Sequence, residues 1–203
     1  MVKQGFFIVL EGIDGSGKDT NIKFLVEEMC QRGYKVVETA EPSRNRVGTF
    51  LKRYQRRDEK RLPAEAEVLL YAADRFDHLK TVIEPALRRG DIVISNRYFY
   101  SSLAYQGSVD VDLDWIREMN VFAMKPDLAV LLDILPEYSL QRLKRRRTVF
   151  ERVENLRRVR DIYVQLVKTG ELVSVDANRS KKAVQEELLG LVEGLLESRD
   201  SRA

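Results

Sequence analysis

Short apolar segments alternate along the chain with longer stretches in which apolar residues recur at helical spacing. The short segments predict strands at Phe6–Leu10, Lys35–Thr39, Asp91–Ser95, Leu128–Asp133 and Glu171–Val175. The longer stretches predict helices at Lys18–Arg32, Ala64–Arg89, Leu113–Met124, Pro136–Arg147, Phe150–Lys168 and Ser180–Leu196. Strands that are apolar on both faces and alternate with helices are typical of parallel sheets. We therefore predict an α/β fold in a single domain over residues 1–203, with a five-stranded parallel sheet and helices on both faces.

A glycine-rich segment at residues 12–20 lies between the first predicted strand and the first predicted helix. At such a helix N-terminus, unpaired backbone N–H groups and the helix dipole both face an anion. Glycines let the backbone approach phosphates, and Lys18 adds a positive charge for the β- and γ-phosphates. We therefore predict nucleoside triphosphate binding here, rather than an ordinary glycine-rich turn. The residues expected to hold it are Gly12, Ile13, Asp14, Gly15, Ser16, Gly17, Lys18, Asp19 and Thr20.

The composition bounds the class of protein. The 203 residues are 44% hydrophobic and 33% charged, which is typical of a compact domain of enzyme size, and the net charge of +3 is too mild to indicate a nucleic-acid partner. The single cysteine, Cys30, excludes a disulfide framework within one chain, and we expect its thiol in the core. There is no apolar run of membrane-spanning length and no signal-peptide pattern, so we expect a cytoplasmic protein.

Polar residues follow several of the predicted strands. Glu41–Arg44 comes after the second strand and Asn96–Tyr98 after the third, while a basic run follows the fourth. In parallel sheets, ligands bind beyond the carboxyl ends of the strands. Two arginines and Lys18 at one rim predict a site for more than one phosphate group, which favours phosphoryl transfer between two nucleotides over hydrolysis.

These segments resemble the thymidylate kinases, P-loop enzymes that transfer the γ-phosphoryl group of ATP to dTMP. The resemblance runs nearly end to end, and it rests on Glu11–Lys18, Glu41-Pro42, Leu70–Arg75, Asn96–Tyr98, Ser101–Gly107, Pro126–Asp133, Phe150-Glu151, Arg160 and Tyr163. It implies the nucleotide-kinase type of P-loop fold with a short lid at about residues 142–152. It also implies ATP as donor, Mg²⁺, dTMP as acceptor, and a homodimer. Candidate dimer contacts are Leu69, Leu70, Leu103, Val121 and Phe122.

The resemblance also implies roles at the acceptor. Tyr71, where the family usually has Phe, would stack on thymine, and Arg75 would bind a base carbonyl. Arg44 and Arg97 would hold the 5′-phosphate, with Asp14 beside it. The full set expected at the acceptor is Glu41, Arg44, Tyr71, Arg75, Arg97, Tyr98, Tyr105 and Gln106.

Most of these roles have a purely structural alternative. Tyr71 and Tyr98 could be packing residues, and Arg75 could belong to a solvated ion pair with Asp74. Arg97 is harder to explain in this way, because a charge at the mouth of a buried strand needs a partner. The only histidine, His78, has no companions at metal-ligand spacing and carries no functional signal.

The basic run after the fourth strand resembles the family's mobile lid. Its members are Arg142, Lys144, Arg145, Arg146, Arg147 and Arg152. Thymidylate kinases with glycine at the position of Gly15 take their catalytic arginine from the lid, which implies Arg147 or Arg146. For any single member of this run, the alternative is a charged residue on a solvated helix face. We interpret another basic stretch, Lys52–Arg61, as such a solvated face. The expected catalytic set is Lys18, Arg97, Asp14, Arg147 and Arg146.

Two residues depart from the family pattern where Mg²⁺ is expected. Asp19 replaces the hydroxyl residue after the P-loop lysine, and Asn96 replaces the aspartate of the Asp-Arg-Tyr triplet. One carboxylate is lost and another gained. Our hypothesis is that the magnesium-organising carboxylate has moved to the loop, which makes Asp19 and Asn96 the expected metal-site residues.

Other functions stay open at this stage. A kinase for another nucleoside monophosphate would keep the P-loop and change the base pocket. A catalytically weak nucleotide-binding paralogue would account for both departures from the family pattern, Asp19 and Asn96. A nucleic-acid-binding module could use the basic runs, but they lack interleaved aromatic residues.

Overall fold

The computed structural model describes residues 5–55, 61–142 and 153–200. Its strands are β1 (Phe6–Glu11), β2 (Val36–Ala40), β3 (Ile92–Asn96), β4 (Leu128–Asp133) and β5 (Val173–Asp176). Its helices are α1 (Lys18–Gln31), α2 (Arg46–Gln55), α3 (Ala64–His78), α4 (Glu84–Arg88), α5 (Phe99–Gly107), α6 (Leu113–Met119), α7 (Pro136–Arg142), α8 (Val153–Lys168) and α9 (Lys181–Asp200).

The strands form one parallel sheet in the order β2-β3-β1-β4-β5. In the central strand β1, Leu10 lies beside Asn96 of β3 and Val130 of β4. Consecutive residues of β1 from Phe7 to Glu11 are buried, so helices cover both faces of the sheet. The predicted α/β fold with a five-stranded parallel sheet is confirmed.

The helices bring the polar residues to one rim of this sheet. Helix α5 packs against α3 and α8, while α1 contacts β1 and β3 and also packs against α9. The strand order reverses around β1, so its carboxyl end, with the loop leading into α1, lies at the crevice where ligands of open α/β sheets bind.

Two helices were missing from the prediction. In α2, the buried residues Leu51 and Tyr54 are embedded among basic residues, which hid the apolar face of the helix. In α5, most of the residues are apolar or uncharged, so no clear helical alternation is visible.

The helix predicted at Ala64–Arg89 is confirmed in extent, but it is not α-helical throughout, because a π-helical segment, Leu79–Ile83, lies between α3 and α4. Pro85 follows this segment. Proline has no N–H to donate to the carbonyl four residues earlier, so regular α-helical bonding cannot continue through it.

Cys30 was expected in the core, and this prediction is wrong. Its side chain is exposed, while the neighbouring Met29 takes the buried position on α1. Within the described ranges, none of the helices combines the length and apolar character needed to cross a membrane.

Candidate active site

The glycine-rich loop wraps tightly between β1 and α1. Gly12, Gly15 and Gly17 have φ angles of +138°, +82° and +94°, which side-chain-bearing residues rarely adopt. The Nζ atom of Lys18 donates to the carbonyl oxygens of Gly12 at 2.8 Å and Ile13 at 2.9 Å. The loop thus presents a curved backbone and a buried ammonium group at a helix N-terminus, an arrangement suited to a polyphosphate.

Burial shapes the charge of Lys18. Burial and the positive charge of Arg97 together lower the pKa of Lys18 to about 7, against the opposing effect of Asp14, Glu11 and Asp19. A phosphate ligand would reverse this effect, because an adjacent anion favours the charged ammonium.

Arg97 connects the loop to the acceptor side of the rim. Its Nη2 atom donates to Asp14 Oδ1 at 2.5 Å and to the hydroxyl of Tyr105 at 3.0 Å, and its guanidinium lies 4.9 Å from the centroid of the Tyr105 ring. Burial alone would raise the pKa of Asp14, but Arg97 and Lys18 together lower it. The predicted catalytic residues Asp14, Lys18 and Arg97 therefore form one interacting group.

A cavity of about 120 Å³ opens beside Arg97. Among the residues predicted for the acceptor, those that line it are Glu41, Tyr71, Arg75, Arg97, Tyr98, Tyr105 and Gln106. Arg44 is exposed in the turn before α2 and does not line this cavity, so its contact with the acceptor phosphate stays a prediction. The sequence did not indicate Gln55, Arg61 or Ser102, which also line it.

Arg75 is buried at the cavity wall, with 1% of its surface exposed. Its Nε atom donates to Glu41 Oε2 at 2.8 Å, Nη1 donates to Asn120 Oδ1, and Nη2 donates to Ser102 Oγ at 3.2 Å. The alternative of a solvated ion pair with Asp74 is wrong. These partners fix the guanidinium plane, so Arg75 can present a defined hydrogen-bonding edge to a base.

His78 belongs to the same buried cluster, although its sequence context gave no signal. Its Nδ1 atom lies 3.3 Å from Glu41 Oε1, and its Nε2 atom lies 2.6 Å from the hydroxyl of Thr39. His78 therefore holds Glu41, which in turn holds Arg75. Only the tertiary fold shows this role, because Glu41 follows β2 while His78 and Arg75 lie in α3.

Tyr71 and Tyr98 take different positions. Tyr71 lines the cavity one turn before Arg75, its hydroxyl accepts a hydrogen bond from Gln55 Nε2, and burial raises its pKa to about 12. Tyr98 packs its ring edge-on to Phe7 at 5.1 Å and under Arg75. Tyr98 is thus a packing residue that also forms the floor beneath Arg75.

Glu67 organises another wall of the cavity. Its carboxylate accepts two hydrogen bonds from Arg61, both of 2.7 Å, one of 2.6 Å from Tyr54 and one of 3.4 Å from Gln106. The interpretation of Arg61 as part of a solvated face is therefore wrong. Arg61 is held at the cavity by a buried carboxylate that the charge pattern did not reveal.

The expected metal-site residues meet at the rim. Asn96 Nδ2 donates to Asp19 Oδ1 at 2.6 Å. This amide orientation leaves Asn96 Oδ1 buried without a hydrogen-bond partner. No group of three or more His, Cys, Asp or Glu residues forms a metal cage in the described part of the chain. The oxygen atoms of Asp19 and Asn96 nevertheless fit Mg²⁺, which usually binds through one or two protein oxygens together with phosphates and water.

Helices α7 and α8, on either side of the predicted lid, are linked by an ion pair, and α8 also pairs with the end of β4. Arg160 of α8 forms a bidentate pair with Asp133 at 2.6 and 2.8 Å, and Arg157 bonds to Glu137 of α7. Arg142 donates to the carbonyl of Ala177 at 3.1 Å. The predicted catalytic residues Arg146 and Arg147 lie outside the described residues, as do Lys144, Arg145 and Arg152.

Comparison with known proteins agrees with this arrangement. A family model described as thymidylate kinase matches residues 10–188. The chain is 44% identical to a protein named "Probable thymidylate kinase" from Pyrococcus horikoshii, over 93% of this chain and 96% of the relative. Proteins with the same name from Thermococcus kodakarensis and Pyrobaculum calidifontis are 41% and 39% identical, over 94% and 95% of this chain and 98% of each relative. With the phosphate loop, Arg97 and the adjoining cavity all inside the matched region, the chain belongs to the thymidylate kinase family.

Proposed function

We propose that this chain transfers the γ-phosphoryl group of ATP to dTMP, giving ADP and dTDP. The observation that carries the proposal is the continuity between the two sites. Asp14 lies in the phosphate loop, forms an ion pair with Arg97 and lines the cavity that contains Arg75 and Tyr71. A donor on the loop and an acceptor in the cavity would therefore meet at Arg97.

The chemistry depends on positioning and charge rather than on a general base. A phosphate oxygen of dTMP is already anionic near neutral pH, so it can attack the γ-phosphorus in line without losing a proton. Lys18 would hold the β- and γ-phosphates and Arg97 the acceptor phosphate. Arg75 would bind a carbonyl of the base while Tyr71 stacks on it.

Mg²⁺ would neutralise charge on the donor phosphates as the phosphoryl group moves. Asp19 and Asn96 are the residues that would hold it, directly or through water. Asp19 lies in the first turn of α1, and the unpaired Oδ1 of Asn96 lies beside it. We also propose that Arg147 or Arg146 supplies a positive charge to the transferred group when the lid closes.

The proposed activity is tested by measuring ADP release with ATP, Mg²⁺ and a panel of dTMP, dUMP, dGMP and dCMP. We expect the highest kcat/KM with dTMP. A preference for another monophosphate would reassign the acceptor. ATP binding without ADP release under any acceptor would support the nucleotide-binding paralogue instead.

The magnesium hypothesis is tested with Asp19→Thr, Asn96→Asp and the double variant. Asp19→Thr removes the carboxylate, and Asn96→Asp places two carboxylates in contact where the bond now measures 2.6 Å. We expect each single variant to lower kcat and weaken Mg²⁺-dependent ADP binding, and the double variant to recover much of both. Independent, additive losses would contradict the exchange of the two carboxylates.

We propose that the protein works as a homodimer in the cytoplasm. Leu69 and Phe76, seven residues apart on α3, are about half exposed, and Val121 is 86% exposed after α6. Phe122 packs against Phe76 with ring centroids 5.1 Å apart. We call these four residues the α3 apolar patch, and it suits a second copy of the chain. The exposed free thiol of Cys30 fits a reducing compartment.

The prediction that Leu103 contributes to the dimer contact is wrong, because its side chain on α5 is completely buried within the single chain. Leu70 is only partly exposed. Leu69 and the residues after α6 remain as candidates.

A further inference from the structure

Arg97 has a backbone conformation that needs support. Its φ angle is +73°, in the left-handed region that residues other than glycine rarely adopt. Its N–H donates to the carbonyl of Leu10 at 2.9 Å, and its carbonyl accepts from Ser95 Oγ at 2.8 Å. Strained backbone of this kind persists only where its surroundings hold it in place, and it is common at functional sites.

The next backbone group is held by Glu11, the last residue of β1. Glu11 Oε1 accepts the N–H of Tyr98 at 2.7 Å, at the N-cap position of α5. Because Tyr98 directly follows Arg97, the carboxylate closes the turn that carries the arginine from β3 into α5. Glu11 is fully buried and does not line the acceptor cavity, so it would not contact an acceptor bound there.

The other oxygen of the same carboxylate acts on the side chain of Arg97. Glu11 Oε2 accepts the hydroxyl protons of Ser101 at 2.7 Å and Tyr163 at 2.8 Å. Ser101 Oγ lies 3.1 Å from Arg97 Nη1, which can only donate. Since the Ser101 proton is given to Glu11, the lone pairs of that hydroxyl are available to the guanidinium.

We propose that Glu11 is a positioning residue for Arg97, fixing both the turn of its backbone and the direction of its guanidinium towards the acceptor phosphate. This inference rests on the proposed function, because it takes Arg97 as the ligand of that phosphate. Glu11 acts through Tyr98 and Ser101, which it joins from the neighbouring strand.

The test is Glu11→Gln in the full-length protein, assayed with ATP, Mg²⁺ and dTMP. Glutamine keeps the shape and one acceptor for the Tyr98 N–H. Its NH₂ group donates where the carboxylate accepted, so it competes with Arg97 for the lone pairs of Ser101 Oγ and weakens the hydrogen bond to the guanidinium. We expect kcat/KM for dTMP to fall by about 10- to 100-fold, the range expected when a hydrogen bond to a charged group is lost. The KM for ATP should change much less.

A second variant, Ser101→Ala, removes the bridging hydroxyl while leaving Glu11 in place. If Glu11 acts through Ser101, Glu11→Gln should lower kcat/KM no further in the Ser101→Ala background than Ser101→Ala does alone. The matched control is Asp127→Asn, because Asp127 Oδ2 likewise accepts a main-chain N–H, from Phe7 at 2.7 Å, at the other end of β1. It should lose stability without changing the KM of dTMP.

The outcomes separate the two ideas. If the wild-type protein phosphorylates dTMP and Glu11→Gln keeps its kcat/KM, the positioning role is overturned. An additive effect of Glu11→Gln and Ser101→Ala would also overturn it. If the wild-type protein phosphorylates no monophosphate, the proposed function itself fails.

Discussion

At the scale of single residues, charge at the phosphate site depends on burial. The ammonium group of Lys18 bonds to two loop carbonyls, and burial lowers its pKa to about 7. A polyphosphate needs the charged form, so nucleotide binding and protonation of Lys18 are linked. This linkage can be measured separately from catalysis.

We predict that ATP binding at pH 8 takes up close to one proton per site, and that the uptake disappears near pH 6. The pKa of Lys18 is lowered in the folded protein, so above about pH 7 the Lys18 side chain is largely neutral when no nucleotide is bound. It must gain a proton when phosphate binds. The ATP phosphates are already ionised at pH 8. Titration calorimetry in buffers of different ionisation enthalpy measures the uptake directly.

The same shift has a consequence for stability. Between about pH 7 and the ordinary lysine pKa near 10.4, the unfolded chain binds more protons at Lys18 than the folded chain does. The contribution of Lys18 to the free energy of unfolding therefore rises with pH in this window.

Lys18→Arg is the control for the proton-uptake measurement, because its guanidinium stays charged throughout. Equal proton uptake in this variant and in the wild type would contradict the assignment to Lys18.

At the scale of elements, the phosphate loop packs closely against α7, the helix that precedes the predicted lid. A Cβ atom on Gly15 would lie 2.4 Å from the carbonyl oxygen of Ser139 in α7, well inside van der Waals contact. Gly15 thus lets α7, the helix before the predicted lid, approach the loop. The glycine at this position has a packing reason as well as a conformational one.

We predict that Gly15→Ala destabilises the protein more than Gly33→Ala does. Both glycines have positive φ, +82° and +84°, but a Cβ atom on Gly33 would meet nothing within 4 Å. Gly33→Ala should cost about 1 kcal/mol for its backbone conformation alone. Gly15→Ala should cost about 1–3 kcal/mol more, because Ser139 and α7 must move. Denaturant unfolding of the two variants measures the difference, and equal losses would contradict the contact between loop and α7.

The order of elements could be predicted because it depends on local patterns. Strands such as β1 are apolar at nearly every position, which identifies a buried parallel strand. The phosphate loop was equally visible, since its glycines and Lys18 are adjacent in the chain. Helix α2 was not, because its buried residues are Gly48, Leu51 and Tyr54, and the two large ones lie among basic residues.

The side-chain pairs that shape the cavity were not predictable from the pattern. Arg61 looks like one member of a basic stretch until the fold places it against Glu67. His78 meets Glu41 across 37 residues of sequence. Such pairs exist only once distant elements have packed, so a local pattern can mark a residue as charged without showing its partner.

At the scale of the whole molecule, the α3 apolar patch leads to the last prediction, which concerns assembly. Exposed apolar residues that cluster on one face commonly mark an interface. We predict that the wild-type protein is a dimer of its 23.5 kDa chain and that Phe76→Glu shifts it to monomer, because a carboxylate buried at an interface without a partner is strongly unfavourable. Tyr34→Glu is the control, since Tyr34 is also an exposed aromatic, 37% accessible, but lies in the turn after α1. Sedimentation equilibrium of the three proteins over a range of concentrations measures the shift. A wild type that stays monomeric at every concentration, or a Phe76→Glu variant as dimeric as the control, would exclude this patch as the dimer interface.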